Sequence, residues 1–259
     1  QEIPAYIKID GFKVVGNPNS SYEQGEGFLT SEISDVWVYV DNKFIGAYSF
    51  KGEGDSLVVP ILAKGKHLIE LEAGIKYNGM ASTREAYKFY TSASDSINLV
   101  EGQTTEIPIK EIMYNSYATF SFLDFFEDSY LHFENCPSTD STITSCFMSE
   151  ISGDSVRYGN HCGAMYMNSG DKEYKVMTKD SITCSNTNAM IMELDYHCNI
   201  PFEVGIYGRT SSEANYQYIS AMRLKANEKD GWQSNSKKGF QKVYIILGKV
   251  WGQLSYMTF

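Results

Sequence analysis

The sequence predicts an all-β protein built from two β-sandwich domains, and three observations lead to this prediction. Short segments of alternating apolar and polar residues recur along the chain, as at Val36, Val38 and Val40, and this period of two buries one face of a strand. The chain contains 19 Tyr and 14 Phe, and aromatic residues are enriched in strands. The 3.6-residue period of an amphipathic helix is present only weakly, around residues 221–229.

The first domain is predicted to span residues 1–113. Asp41 and Asn42 interrupt the alternation, which resumes at Phe44, and such a pair predicts a two-residue β-hairpin turn. The segment Lys64-Gly65 marks a second tight turn before another alternating run. The short and even spacing of these segments is typical of a sandwich. The predicted strands cover residues 5–15, 33–40, 43–50, 57–62, 66–73, 86–90, 96–99 and 105–109.

The second domain is predicted to span residues 117–259, and it is interpreted as a jelly roll. Its aromatic segment 117–128 is predicted to be the opening strand, and long strands paired around 199–201 follow a Gly-rich middle. The sequence ends at Phe259 inside a predicted strand, so one interpretation is that the closing strand of the jelly roll is missing. The later strands are predicted at residues 163–167, 174–177, 189–197, 201–207, 216–222, 240–247 and 253–259.

Charge and hydropathy exclude some functions. The formal net charge is −10, and no stripe of Lys and Arg is present to neutralise phosphates, so nucleic acid is not an expected partner. No apolar run approaches the roughly 18 residues that a membrane-spanning helix needs. The chain begins at Gln1 rather than Met, which predicts a start just after a removed segment.

Two sets of motifs carry a family resemblance. The segments VYVDNKFIGAY at 38–48 and VVPILAKGKHLIELEAGI at 58–75 resemble the small PEGA-type β-sandwich repeats of exported bacterial proteins. The whole chain resembles uncharacterised outer-membrane lipoproteins of Bacteroidota, with an N-terminal immunoglobulin- or PEGA-like domain and a C-terminal jelly roll like that of carbohydrate-binding modules. The segments that carry this second resemblance are EIPAYIKID at 2–10, ISDVWVYVD at 33–41, GIKYNGMASTR at 74–84 and FFED at 125–128.

The resemblance implies a surface-exposed, lipid-anchored protein of the outer membrane. We expect it to be an accessory subunit of an outer-membrane protein assembly, without a cofactor and without catalysis. In such proteins a lipidated Cys precedes the Glu-Ile-Pro segment, so the anchor is expected upstream of Gln1. Tyr-rich segments such as 214–218 suit partner contacts, because Tyr combines a large contact area with a polar tip. The alternative is glycan binding by the concave face of the jelly roll, with Trp232 and Trp251 as the stacking candidates and buried packing as their competing explanation.

One strand invites an enzymatic interpretation. The segment MELDYH at 192–197 resembles the Glu-x-Asp-x-Glu strand of jelly-roll β-glucanases, and Glu193 and Asp195 would share one face. Glycoside hydrolysis needs a nucleophile and a proton donor, but His197 takes the place of the third carboxylate. We therefore expect no enzyme, and we interpret Glu193 and Asp195 as part of a solvated strand face.

All five cysteines of the chain lie in its second half, so disulfide or metal chemistry is expected there if anywhere. An oxidising envelope location would allow its five cysteines to form up to two disulfides, whose pairing the sequence does not specify. The dipeptides at 161–162 and 197–198 each join a His to a Cys, but neighbouring strand residues point to opposite faces, so a metal site is less favoured than a structural role. Glu127 is a candidate calcium ligand by analogy with jelly-roll binding modules. The cysteines are Cys136, Cys146, Cys162, Cys184 and Cys198.

A recurrent dipeptide predicts modification. Six of the 13 Asp are followed by Ser, where composition alone predicts about one. In five of these cases an aliphatic residue or Thr follows, which resembles the O-glycosylation signal of exported Bacteroidota proteins. Asp-Ser is also ordinary turn chemistry, and an acceptor on an exposed turn satisfies both interpretations. The candidate acceptors are Ser56, Ser96, Ser141, Ser155 and Ser181.

Overall fold

The computed structural model confirms the predicted all-β fold class. It describes residues 2–18, 29–51, 54–128, 130–136, 147–153, 156, 158–168, 170, 173–182, 190–209, 215–227, 239–247 and 256–258. Within these residues the secondary structure is β-strand, with one short 3₁₀ helix at Ala81–Thr83. The chain divides into two compact units, unit 1 with residues 1–119 and unit 2 with residues 120–259. In the described part of the chain no helix has the length and apolar character needed to cross a membrane.

Unit 1 is built from two packed layers of strands. One layer has the order β5-β1-β9, and the other has the order β4-β3-β6 with both β7 and β8 paired to the far side of β6. Strands β2 and β10 form a parallel pair. The strands are β1 (Ala5–Ile9), β2 (Phe12–Val14), β3 (Asp35–Val40), β4 (Lys43–Ser49), β5 (Leu57–Ile61), β6 (Gly65–Lys76), β7 (Arg84–Ala86), β8 (Ala93–Leu99), β9 (Thr104–Ile107) and β10 (Lys110–Ile112).

The core of unit 1 lies between these two layers. Alternate residues of β1 and β3 point inward, which is the arrangement that the period of two predicts. Val36 and Val38 are fully buried and contact apolar residues from both layers. The core residues are Ala5, Ile7, Ile9, Val36, Val38, Val40, Val59, Ile61, Ile69, Leu71, Ile97, Leu99 and Ile107.

The predicted hairpin between β3 and β4 is confirmed. Asp41 and Asn42 both have positive φ, at 48° and 64°, and this is the backbone of a two-residue turn that matches strand twist. The Asp41 carboxylate also contacts the imidazole of His67, with 2.7 Å between Oδ2 and Nδ1. This contact lowers the pKa of Asp41 and raises the pKa of His67. The turn is therefore joined to the start of β6 by side chains as well as by backbone.

Both outer strands at one side of unit 1 carry an irregularity. Pro60 stands near the middle of β5, opposite Tyr6 of β1, and it is exposed. In β4 the register with β3 shifts between Val38 and Tyr39, which leaves Ile45 as an extra residue that is 41% exposed. Pro has no N–H to donate, and a bulge bends the strand in which it occurs.

Two strand predictions for unit 1 were wrong in extent. The segment 5–15 is two strands, because Gly11 adopts φ of +110° between β1 and β2, a conformation that breaks the extended backbone. The segment 86–90 was predicted as a strand, but β7 ends at Ala86. The N–H of Tyr87 still donates to the carbonyl of Ala73, and the residues that follow leave the sheet.

Unit 2 has four described groups of paired strands. They are the pairs β11-β14, β12-β13 and β15-β18, and the three-stranded sheet β17-β16-β19. An apolar cluster around Ile206, Leu224 and Ile245 joins β16 and β17 to β18. The strands are β11 (Phe133–Asn135), β12 (Phe147–Ser152), β13 (His161–Tyr166), β14 (Val176–Thr178), β15 (Ile191–Tyr196), β16 (Phe202–Arg209), β17 (Gln217–Leu224), β18 (Gln241–Ile246) and β19 (Tyr256–Thr258).

The predicted opening strand of unit 2 was wrong, since residues 117–128 contain no strand. The Asp124 carboxylate accepts the N–H of Phe126 at 2.8 Å, and this local bond competes with strand pairing. Phe126 then has φ of +58°, a left-handed conformation that a bulky side chain seldom adopts. Its ring stacks on Phe133 of β11, with centroids 5.9 Å apart. Tertiary packing therefore holds an aromatic segment in a turn.

Candidate functional site

The candidate functional site is a tyrosine surface on unit 2, defined here as Tyr207, Tyr216 and Tyr218. Tyr207 of β16 lies opposite Tyr218 of β17 in the sheet register, so both project from the same face. Because the adjacent Ile206 is fully buried, this face points away from the apolar core. Tyr216 stacks on Tyr207 with ring centroids 5.0 Å apart and 22° between the planes. Tyr216 and Tyr218 remain 39% and 48% exposed.

A glycine allows Tyr218 to lie against the sheet. A Cβ atom added to Gly205 would be 2.5 Å from Cε2 of Tyr218 and 2.5 Å from the carbonyl oxygen of Ile219. The ring therefore occupies the space that any other side chain at position 205 would take. The register between β16 and β17 also shifts between Val204 and Gly205. Glycine inside a strand often marks such a bulge or a close approach.

A carboxylate fixes the outer end of the Tyr218 ring. The hydroxyl of Tyr218 donates to Oε1 of Glu203 at 2.9 Å. Burial and this hydrogen bond raise the pKa of Tyr218, so the phenol stays protonated at physiological pH. The result is an exposed aromatic ring whose orientation is set at both ends before anything binds. Such a surface can bind a partner by ring contacts and by hydroxyl groups.

The structure places Glu193 and Asp195 on β15, and for Glu193 the solvated-face interpretation is wrong. Nζ of Lys242 lies 2.6 Å from Oε2 of Glu193, and the side chains are only 4% and 19% exposed. Lys242 stands opposite Asp195 on β18, and its ammonium is 5.6 Å from the ring centroid of Tyr244. The alternation of residues along β15 identifies its polar face. It does not show whether a basic residue of the neighbouring strand forms an ion pair with the carboxylates on that face.

Glu127 has hydrogen-bond partners from the chain itself. Its Oε1 accepts the N–H groups of Asn160 and His161 at 2.6 and 2.9 Å, and its Oε2 accepts the side-chain amide of Asn160 at 2.9 Å. These bonds, the one from His161 first, lower the pKa of Glu127. Among the described residues no group of three or more His, Cys, Asp or Glu is arranged to hold a metal ion. Glu127 therefore joins the segment before β11 to the start of β13.

The two His-Cys dipeptides lie in different parts of unit 2, one at the start of β13 and the other just after β15. His161 and Cys162 begin β13, and burial raises the pKa of the Cys162 thiol. His197 and Cys198 follow β15, where the N–H of Cys198 donates to the side chain of Asn227 at 2.8 Å. Cys136 is buried, while Cys146 and Cys184 lie outside the described residues.

The remaining predicted site residues fall into two groups. Ser56, Ser96 and Ser181 are exposed, and Ser56 donates its hydroxyl to Asp10 at 2.7 Å. Ser96 lies inside β8 rather than on a turn. Four others lie outside the described residues: Ser141, Ser155, Trp232 and Trp251.

Sequence reasoning identified Tyr216 and Tyr218 but missed Tyr207 and Gly205. The sequence does contain a signal for Gly205, because this glycine interrupts a strand of large residues. A glycine inside a strand predicts that another group lies close to the backbone at that position. No protein-family model, curated protein or solved structure matches this chain. The functional argument therefore depends on the geometry of these residues.

Proposed function

We propose that the protein is a non-catalytic accessory subunit of a protein assembly at the bacterial outer membrane, displayed on the cell surface and lipid-anchored. The observation that carries the proposal is the tyrosine surface. Tyr is enriched in protein interfaces because it buries a large area at a small cost in conformational entropy. The ring of Tyr218 is already held by Gly205 and Glu203, so little further ordering is needed on binding.

The absence of catalysis is supported by the position of the carboxylate pair. A retaining or inverting glycosidase needs one carboxylate free to act as nucleophile or base and another to donate a proton. Glu193 is instead held in a buried ion pair with Lys242. This arrangement suits a structural role for the strand that resembles a β-glucanase motif.

The location and the domain types complete the proposal. We assign unit 1 to the immunoglobulin- or PEGA-like class and unit 2 to the jelly-roll class, on the motifs that resemble Bacteroidota surface lipoproteins. The two-layer core of unit 1 supports a sandwich assignment for that unit.

Alanine substitution of Tyr218 is expected to weaken the association with the partner assembly by about tenfold or more, since an aromatic hot spot contributes about 2 kcal/mol or more. The measurement is quantitative affinity purification of the tagged chain from its native host. Tyr158→Ala is the matched control, because Tyr158 is 46% exposed and is not part of the tyrosine surface. An unchanged set and yield of co-purifying proteins in the Tyr216→Ala/Tyr218→Ala double variant would argue against this surface as the contact.

A second function, glycan binding by unit 2, is favoured by one observation. The Tyr218 ring lies against Gly205 with its other face exposed, which is the arrangement on which a sugar ring can stack. Retention of the partner-free chain on an immobilised polysaccharide, lost in the Tyr218→Ala variant, would favour this function over protein assembly.

We also propose O-glycosylation at the Asp-Ser sites. Protein from the native host is expected to show a mass increase on one or more of Ser56, Ser96, Ser141, Ser155 and Ser181, of which the three described residues are exposed. Peptide mass spectrometry assigns the sites, and the same chain made in a host without this glycosylation system is the control. Native protein that is unmodified at all five serines would contradict the proposal.

A further inference from the structure

Unit 1 contains a polar cleft at a discontinuity of its larger sheet. β8 pairs with β6 as far as Ala93 opposite Leu71, and β7 pairs with β6 only from Ala86 opposite Gly74. The segment 87–92 between them leaves the sheet. A cleft of about 320 Å³ results, which is at the small end of the range for ligand sites. The residues that carry the argument are Glu72, Tyr87, Lys88, Ser92, Asn115 and Tyr117, all of which line it.

Hydrogen bonds hold the walls of this cleft in place. The side-chain amide of Asn115 donates to the carbonyls of Lys88 and Tyr90, each at 2.8 Å. Its N–H donates to the carbonyl of Phe89, also at 2.8 Å. On the other side, the N–H of Tyr87 donates to a carbonyl of β6. The segment that leaves the sheet is thus fixed to the backbone at both sides, and a fixed cleft loses little entropy when a ligand binds.

Tyr117 stands in the wall of the cleft as a fixed aromatic ring. It is 66% exposed, yet its hydroxyl donates to the Lys88 carbonyl at 2.7 Å and accepts the Asn115 amide at 2.9 Å. Exposed aromatic side chains that are anchored at the hydroxyl present a ring face to solvent. The apolar face of a pyranose ring packs on such a surface, because its C–H groups are buried while its hydroxyls stay at the edge.

Oxygen acceptors line the same cleft as this ring. Oε2 of Glu72 accepts the hydroxyl of Tyr39 at 2.9 Å, and burial together with this bond raises the pKa of Tyr39 to about 12. The carboxylate is therefore oriented by a phenol that keeps its proton. Ser92 donates to Glu70 at 2.7 Å, which orients a further hydroxyl oxygen in the lining. Carboxylate and hydroxyl oxygens are acceptors for the several O–H donors of a sugar.

We propose that this cleft binds one neutral sugar residue, stacked on Tyr117 and hydrogen-bonded to Glu72 and Ser92. One acidic and one basic residue, Glu72 and Lys88, line the cleft, so neither an anionic nor a cationic ligand is favoured by the net charge of the lining. The volume suits a single ring rather than an extended chain. The site is in unit 1 and is separate from the tyrosine surface, so it does not depend on the proposed function.

The test is a titration of the isotope-labelled full chain with methyl glycosides of glucose, galactose, mannose and N-acetylglucosamine, followed by NMR. At least one of the four is expected to shift the side-chain amide signals of Asn115 at millimolar concentration. Tyr117→Ala should weaken this binding by about tenfold, because the stacking contact is lost. Glu72→Gln should weaken it as well, while Leu62→Ala should not. Leu62 is a control residue, since it is 71% exposed in unit 1 and does not line the cleft.

Three outcomes would overturn the proposal. They are the absence of any shift with all four glycosides, equal affinity in the Tyr117→Ala variant, and shifts confined to unit 2. Thermal melting of each variant checks that the fold is kept. The Tyr218→Ala variant separates the two sites, because it should leave sugar binding in unit 1 unchanged whatever its effect on partner association.

Discussion

Substitution of Glu193 by alanine is expected to lower the free energy of unfolding of unit 2 by about 3–5 kcal/mol, the usual cost of removing one partner of a buried ion pair. Nζ of Lys242 is 2.6 Å from the Glu193 carboxylate and the Lys242 side chain is 4% exposed. The substitution removes one carboxylate from beside a buried ammonium, and a buried charge is costly when it loses a compensating partner. Denaturant unfolding of the full chain, followed by the fluorescence of its tryptophans, measures the change.

Three further variants distinguish the contribution of the ion pair to the free energy of unfolding from the contribution of side-chain packing. Glu193→Gln keeps the shape but not the charge, and we expect a smaller loss than in the alanine variant. Lys242→Met should also destabilise, whereas the double variant Glu193→Leu/Lys242→Met should recover much of the loss, as seen when buried pairs are replaced by apolar residues. Equal stability of wild type and Glu193→Ala would show that the pair contributes nothing to folding.

This prediction changes how catalysis must be tested. A loss of activity in Glu193→Ala would not identify a nucleophile, because the same variant is expected to unfold unit 2 in part. Glu193→Gln at a temperature well below its unfolding transition is the informative variant. Hydrolysis of a polysaccharide that the wild type performs and this variant does not would restore the enzymatic interpretation.

Substitution of Arg84 by methionine is expected to destabilise unit 1 by about 2–3 kcal/mol, below the usual cost of about 3–5 kcal/mol for a buried pair because Arg84 is partly solvated. Nε of Arg84 lies 3.3 Å from Asp35 Oδ1, and the side chains are 39% and 2% exposed. Asp35 also accepts the hydroxyls of Ser34 and Ser49. The hydroxyls remain in the variant, but the cation that balances the buried carboxylate is lost.

A double-mutant cycle tests this ion pair. Asp35→Asn alone and Arg84→Met alone should each destabilise the chain, and the double variant should cost less than the two losses together. Thermal unfolding monitored by circular dichroism provides the comparison, with Lys13→Met as a control because Lys13 and Glu111 form an exposed pair at 3.9 Å. Strict additivity would contradict a direct interaction between Asp35 and Arg84.

The part of the fold that follows from local rules was predictable. Val36, Val38 and Val40 alternate because one face of β3 is buried, and Asp41-Asn42 tolerate positive φ, so both the strand and its turn are encoded within a few residues. Residues 117–128 were not predictable in this way. Their aromatic side chains favour a strand, but Phe126 is held in a turn by the side chain of Asp124 and by packing on Phe133. Contacts between distant residues decide that segment.

The candidate site was predictable only in part, for a similar reason. Tyr216 and Tyr218 stand out in the sequence as a cluster, but the position of the Tyr218 ring depends on Gly205 of the neighbouring strand. The Glu193 face depends on Lys242, which is far away in the sequence. Both contacts join residues of paired strands, and a single sequence does not show which strands pair.

Pro60 has a consequence for how the protein behaves when it is crowded. Copies of a protein collide often at high local concentration, and an open sheet edge is then a template for strand addition. Pro60 removes a hydrogen-bond donor from β5, and the bulge at Ile45 distorts β4, so both neighbouring edges resist extension. Polymerisation through backbone pairing at these two edges would therefore be suppressed.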